Sequence, residues 1–168
     1  MDYKKAKINF IETWGVLGSQ WGINKTMAQI QALLLVAPDP LTTDTIMEEL
    51  QISRGNANMS LRQLIEWGVI YKKSVAGDRK EYFVAEKDIW KWSHKIGKIR
   101  KEREINPALD LLNEIVASKE IGKTEEEKEF MKQIKELQSF TGTVSALADK
   151  LFLSPKGELL LKLIKTLL

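Results

Sequence analysis

The sequence predicts a mainly α-helical protein with one small β-hairpin, and three observations carry that expectation. Apolar residues recur at steps of three and four through most of the chain. The period changes to β-branched and aromatic residues only between Gly68 and Ala85. Glycine, proline and capping residues punctuate the pattern where elements end. The 168 residues, 43% hydrophobic and 29% charged, suffice for one domain with an extension and exclude a large multidomain enzyme.

The first helix is expected over residues 2–21, with Ile8, Ile11, Trp14, Leu17 and Trp21 on one stripe and Gly22 as its stop. Asn24 is placed to cap a second helix that runs to Ala37 and carries Met27, Ile30, Leu33, Leu34 and Leu35, an apolar density that predicts burial. A short third helix begins at Thr42 or Thr43 and carries Ile46, Met47 and Leu50. Ser53 caps a fourth, through Trp67, whose stripe Ala57, Leu61, Leu64 and Ile65 faces inward, with Gly68 as its stop. Val69–Val75 and Glu81–Ala85 read as two strands around an Ala76-Gly77-Asp78 turn. Beyond Asp88 the pattern is helical again. Asn106 and Pro107 are read as a cap and a first helical residue, the helix they open reaches Ile121, and Thr124 with Glu127 forms a capping box for the next. Ser154 and Pro155 open a terminal helix.

Helix, turn, helix and hairpin, in that order, make a winged helix-turn-helix, in which a helix fits the major groove of DNA and a narrow ribbon reaches beside it. The expected division is an N-terminal dimerisation helix (1–22), the winged module (23–92) and a helical dimerisation region (93–168). On the fourth helix Ser53, Arg54, Asn56, Asn58, Met59 and Arg62 are left facing out. Arginine can fork onto guanine and asparagine can pair with adenine, so these types suit base reading. An ordinary amphipathic surface helix would also be polar there. The hairpin adds Arg79 and Lys80 at its tip, flanked by Lys72 and Lys73, and basic residues outnumber acidic ones between Ser53 and Arg103. A thin cationic projection suits phosphates or a narrow minor groove.

Two stretches resemble the GbsR-type branch of the MarR family of regulators. One runs from Ser53-Arg54-Gly55-Asn56-Ala57-Asn58 through Glu66-Trp67-Gly68-Val69-Ile70; the other is the wing, Gly77-Asp78-Arg79-Lys80-Glu81-Tyr82-Phe83, continuing to Lys91. The resemblance implies a homodimeric transcriptional regulator on a pseudo-palindromic operator, with Asn56, Asn58 and Arg62 in the major groove and Arg79 in the minor groove. Many MarR wings separate the aspartate and arginine by one residue, whereas Asp78 and Arg79 are adjacent here. The resemblance also raises a quaternary-amine effector, for which Trp14, Trp21, Trp67, Trp90 and Trp92 are the candidate aromatic faces, although tryptophans at helical spacing serve equally as core.

A dimer is expected on separate grounds. Phe130, Ile134, Leu137, Thr141, Val144, Ala148 and Leu151 alternate steps of four and three, the spacing of a coiled-coil seam, and Leu160, Leu163, Ile164 and Leu167 extend an apolar face in the terminal helix. Packing within one chain would use the same residues.

No catalytic residue, cofactor or metal is expected. Cysteine is absent, and the one histidine, His94, has no partner of metal-ligand spacing. Residues 117–124 end like a phosphate-binding loop but lack its first glycine and its preceding strand. With no signal core and no apolar run of about 20 residues, the expectation is a cytoplasmic protein without a membrane partner. The competing reading from another class is a winged helix used as a protein-protein adaptor, without sequence-specific DNA binding.

Overall fold

A computed structural model describes residues 1–154 and Gly157. The chain divides into two compact units, Met1–Trp92 and a helical unit that begins at Ser93. In the first, α1 (Tyr3–Gln20), α2 (Lys25–Val36), α3 (Thr43–Leu50) and α4 (Arg54–Glu66) surround an antiparallel sheet of β1 (Leu41–Thr42), β2 (Ile70–Lys73) and β3 (Tyr82–Ala85). The strand order is β1-β3-β2, with Thr42 opposite Tyr82 and Tyr82 opposite Lys73. This is a winged helix-turn-helix.

Each of the helices α1 to α4 begins where a side-chain oxygen takes an otherwise unpaired backbone N–H. Asp2 accepts from Lys5, Asn24 from Met27, Thr42 from Thr45 and Ser53 from Asn56. The C-terminal stop of α4 is a Schellman turn: Gly68 has φ 68°, its N–H bonds the Ile65 carbonyl at 2.8 Å, and the Val69 N–H bonds Leu64 at 3.1 Å. The third strand escaped the sequence reading, which placed Thr42 only as a helix start; a two-residue strand has no period to detect.

The core gathers on α2. Met27, Ile30, Leu33 and Leu34 are fully buried, joined by Ile46, Val69 and Ile70. Such density leaves the C-terminal carbonyls of α2 short of partners. Lys87, just past β3, supplies them: its Nζ donates to the carbonyls of Leu34 (2.9 Å), Leu35 (2.6 Å) and Ala37 (2.7 Å). The lysine charge also complements the helix dipole, and partial burial pulls its pKa below the usual lysine value.

Helix α1 meets α2 through glycine. Ile11, Gly15 and Gly18 are its buried positions, while Ile8 and Trp21, placed by periodicity on the inward stripe, are exposed. A Cβ on Gly18 would lie 2.5 Å from the Ala28 Cβ, so the two backbones approach as closely as they do because no side chain intervenes.

The second unit corrects two expectations. Asn106 is not a cap: it is helical (φ −60°, ψ −48°), and α5 (Ile89–Arg100) continues through a π-helical turn, Lys101–Ile105, into α6 (Asn106–Ala117). Pro107 cannot donate to the preceding turn and its ring crowds the carbonyl there. Widening the helix just ahead of it accommodates both defects without a break. Helix α6 then ends at Ala117, before the expected Ile121, because Ser118 turns extended (ψ 123°). Helix α7 (Glu125–Ala148) returns along α6 with the Thr124 and Glu127 capping box formed, and a second π-helical turn, Asp149–Leu153, follows. The expected terminal helix after Ser154, with Leu160, Leu163, Ile164 and Leu167, lies outside the described residues.

The glycines give a paired stability prediction. Gly18→Ala should destabilise by about 1–3 kcal/mol through overpacking against Ala28, with Ala28→Gly restoring much of the loss. Gly142→Ala, where a Cβ meets nothing within 4 Å inside α7, should stabilise by about 0.5–1 kcal/mol. Urea titrations of the three variants check both signs.

Candidate nucleic-acid interface

The recognition surface begins with what α4 hides. Ala57, Ser60, Leu61 and Leu64 are buried, fixing the rotation of the helix, so Arg54, Gly55, Asn56, Asn58, Met59 and Arg62 are all exposed, Met59 at 56%. Arg54, Asn58 and Arg62 follow at steps of four and form one ridge, whereas Asn56 stands on another flank. Nothing lies within 4 Å of a Cβ built on Gly55, so a flat partner can approach the backbone itself there.

Polar groups on this surface divide into those already engaged and those left open. Ser53 Oγ accepts the Asn56 N–H (3.3 Å), and Arg54 Nη2 donates to Asp44 Oδ1 (2.6 Å). Lys72 is paired across the hairpin with Glu81. No described residue pairs with the side chains of Asn56, Asn58, Arg62, Lys73 or Arg79, while the Lys80 charge is near enough to Asp78 to favour its carboxylate. An arginine with no acceptor of its own is available to an external carbonyl or phosphate.

The wing tip is built by Asp78. Gly77 adopts φ 83°, and Asp78 accepts the Lys80 N–H (2.9 Å) at Oδ1 and the Tyr82 hydroxyl (2.7 Å) at Oδ2. The Tyr82 hydroxyl, then the Lys80 N–H, holds the Asp78 carboxyl below the usual aspartate value, and the same hydrogen bond raises the Tyr82 phenol. The aspartate thus fastens the turn and not the arginine beside it.

The tryptophans separate. Trp14 contacts Phe10 (5.6 Å between centroids), Trp21 (6.1 Å, edge-on) and Trp92 (6.1 Å). Trp67 closes α4 and Trp90 lies in the first turn of α5, both half-buried. Sequence reading missed Gln31, which is buried and accepts the Trp14 indole N–H at 2.9 Å. A buried glutamine on a strongly apolar helix reads from sequence as a gap in the stripe. Gln31 Nε2 and Trp92 Nε1 are buried donors without a described acceptor. Donors call for an acceptor, which a quaternary ammonium group does not carry, so they add nothing to that effector reading.

Helix α7 turns one side inward and leaves further large apolar residues exposed. Met131 and Ser145 are buried, and Gln138 donates to Asn113 of α6 at 2.7 Å, marking the inward side. Phe130 and Leu137 are exposed, 45% and 51%, together with Phe140 and Leu147, which sequence reading left out, at 67% and 52%. Ile134, Val144 and Leu151 are half-buried.

The loop that ends like a phosphate-binding motif is filled by the protein's own carboxylate. Glu127 Oε2 accepts the N–H groups of Gly122 (3.0 Å), Lys123 (2.6 Å) and Thr124 (3.2 Å). Among the described residues no cluster of three metal-ligating side chains occurs, and no helix is long and apolar enough to cross a membrane. His94 is exposed.

Fold and surface together define a winged helix-turn-helix with an open recognition helix and wing. Residues 21–81 match the sequence profile of the MarR family. The HTH-type transcriptional repressor GbsR of Bacillus subtilis is 29% identical over 97 residues, 58% of this chain and 53% of that protein, so this chain aligns with about half of its relative's length. A solved transcriptional regulator superposes with TM-score 0.63 at 18% identity, over 86% of this chain and 94% of that one, which bears on the fold alone. Staphylococcus aureus MepR in its DNA-binding conformation gives TM-score 0.40 at 21% identity, over 86% and 95% of the two chains. The likeness to the MarR family is thus carried by residues 21–81, and the chain is similar to a GbsR-type repressor over 97 residues.

Glu127 yields a pH prediction. Backbone hydrogen bonds from Lys123, Thr124 and Gly122 lower its pKa below the ordinary glutamate value, so their stabilisation is complete above the unfolded pKa and is lost as pH falls through the folded one. Glu127→Ala should therefore unfold at lower temperature than the parent at neutral pH. The gap should close in acid, as followed by circular dichroism.

Proposed function

We propose that this chain is a sequence-specific DNA-binding regulator of transcription, acting as a repressor from a homodimer on a pseudo-palindromic operator. The observation that carries the reading is the pairing of an exposed α4 ridge with the wing, where Arg62 on the ridge and Arg79 at the wing tip have no described protein partner. The match of residues 21–81 to the MarR family profile and the similarity to a repressor support it. Arg62 and Asn58 read bases in the major groove, Asn56 and Met59 line its wall, and Arg79 enters the minor groove. Lys73 and Lys80 neutralise phosphate, while Lys72 and Arg54 reach phosphate only by sharing with Glu81 and Asp44. The cytoplasm is where such a protein meets its operator.

The dimer reading rests on the exposed apolar residues of α7. Phe130, Leu137, Phe140 and Leu147 would be covered by a second copy; a homodimer on a pseudo-palindrome must bring its two α4 helices to half-sites about 34–36 Å apart. The described α1 adds exposed Tyr3, Ile8 and Val16, consistent with a contribution from residues 1–22.

Arg62→Ala should weaken binding to a duplex selected from a random pool by about 1–3 kcal/mol, with relaxed preference at one position per half-site. Lys73→Ala should weaken all sequences evenly and flatten the salt dependence. Fluorescence anisotropy across a salt series separates the two. An adaptor that does not read DNA would be indifferent to both.

For the dimer, Phe140→Asp with Leu147→Asp should shift the protein to monomer in analytical ultracentrifugation with its helicity kept, since both side chains face solvent within one copy. Operator affinity should fall with the loss of the second half-site.

A further inference from the structure

We propose that Tyr82 is a positioning residue for DNA binding: its hydroxyl, through Asp78, ties the Arg79 tip of the wing to the central strand of the sheet. The inference rests on the DNA-binding reading of the wing and assigns a role to a residue whose hydroxyl has no place in the recognition surface itself.

The geometry forms a short chain of constraints. Tyr82 opens β3, where it stands between Thr42 of β1 and Lys73 of β2, and its side chain is half-buried. Its hydroxyl donates to Asp78 Oδ2 at 2.7 Å, while Asp78 Oδ1 holds the Lys80 N–H at 2.9 Å, so one carboxylate grips the turn from both sides of Arg79. Every residue from Tyr71 to Glu81 is exposed, and no apolar packing steadies the tip. Beyond the β2–β3 ladder and the Tyr71–Glu86 hydrogen bond at its base, the described restraints on the ribbon's direction are the turn hydrogen bonds, the Lys72 and Glu81 pair, and this phenol-carboxylate link back to the sheet. The mutual pKa effects of the pair, Asp78 down and Tyr82 up, agree with a proton held by the phenol in the shared bond. Ordering the wing before contact lowers the conformational entropy that Arg79 would otherwise lose on entering a groove. Tyr82→Phe keeps the ring and the register and removes only the tie.

The test is a pair of double-mutant cycles in the full chain, read by anisotropy on a labelled duplex recovered from a random pool. Arg79→Ala should weaken binding about tenfold in the parent but less than threefold in the Tyr82→Phe background. Tyr82→Phe alone should cost about three- to tenfold with unchanged thermal stability. The control cycle with Arg62→Ala, on a different element, should be additive. Asp78→Asn provides a second route to the same coupling if Tyr82→Phe folds poorly. Equal effects of Arg79→Ala with and without the hydroxyl, or a silent Tyr82→Phe, overturn the proposal. If Arg79→Ala is silent while Arg62→Ala weakens binding, the positioning role falls and the DNA-binding reading stands. If both arginine variants are silent, both fall.

Discussion

Helix α2 is the constraint on which the first unit depends. Its residues Met27, Ile30, Leu33 and Leu34 are buried against α1, α3, α4 and β3, and residues flanking the helix supply partners at both of its ends. Asn24 takes the N-terminal amides, and Lys87 takes three carbonyls at the other end. The lysine follows directly on the strand that carries the wing, so the cap that completes the core also fixes where β3 leaves the sheet. Burial of such a helix is favourable only if those polar groups are met, because an unsatisfied buried carbonyl costs about 1–3 kcal/mol. Core packing and wing placement are thus one problem with one solution.

Charge on the exposed face follows a second economy. Acids appear where a turn or helix corner must be held: Asp44 beside Arg54, Asp78 at the wing tip, Glu81 across from Lys72. Surface pairs of this kind contribute little stability, about 0–1 kcal/mol each. Their larger effect is directional, since each fixes a cation or a turn near the recognition surface without neutralising Arg62 or Arg79. The α4 ridge carries Arg54 in the first turn and Arg62 in its C-terminal half, and its one acid, Glu66, is the last helical residue.

Sequence revealed the elements whose signals are local. Caps at Asn24, Ser53 and Thr124, the Gly68 stop and the hairpin all depend on residues within a few positions of one another, and the structure forms each of them. What was illegible depends on distant partners. The inward side of α1 is set by Gly15 and Gly18, and a hydrophobicity pattern gives glycine no weight although its missing side chain decides the packing. Gln31 and Lys87 look like surface residues until Trp14 and the α2 carbonyls are brought to them. On α7 a period of three and four does not tell which apolar residues a single copy buries, so the exposure of Phe140 and Leu147 is visible only in the structure. The exposure of the candidate residues on α4 and the wing is legible in the sequence pattern; which of them are already engaged is not.

The Glu127 loop shows why motif and function part company here. Three successive amides pointing at one spot are the chemistry that a phosphate needs, and residues 117–124 carry a Gly-Lys-Thr ending that suggests it. In this chain the spot is already held by a carboxylate from the next helical turn, at 2.6–3.2 Å from all three amides. A phosphate would have to displace an acid fixed five residues away or less, at a local concentration no dissolved anion matches. The same donor geometry therefore starts a helix instead of binding a nucleotide. What decides between the two is the glutamate at the third helical position, a residue that a nucleotide site would keep clear of the loop.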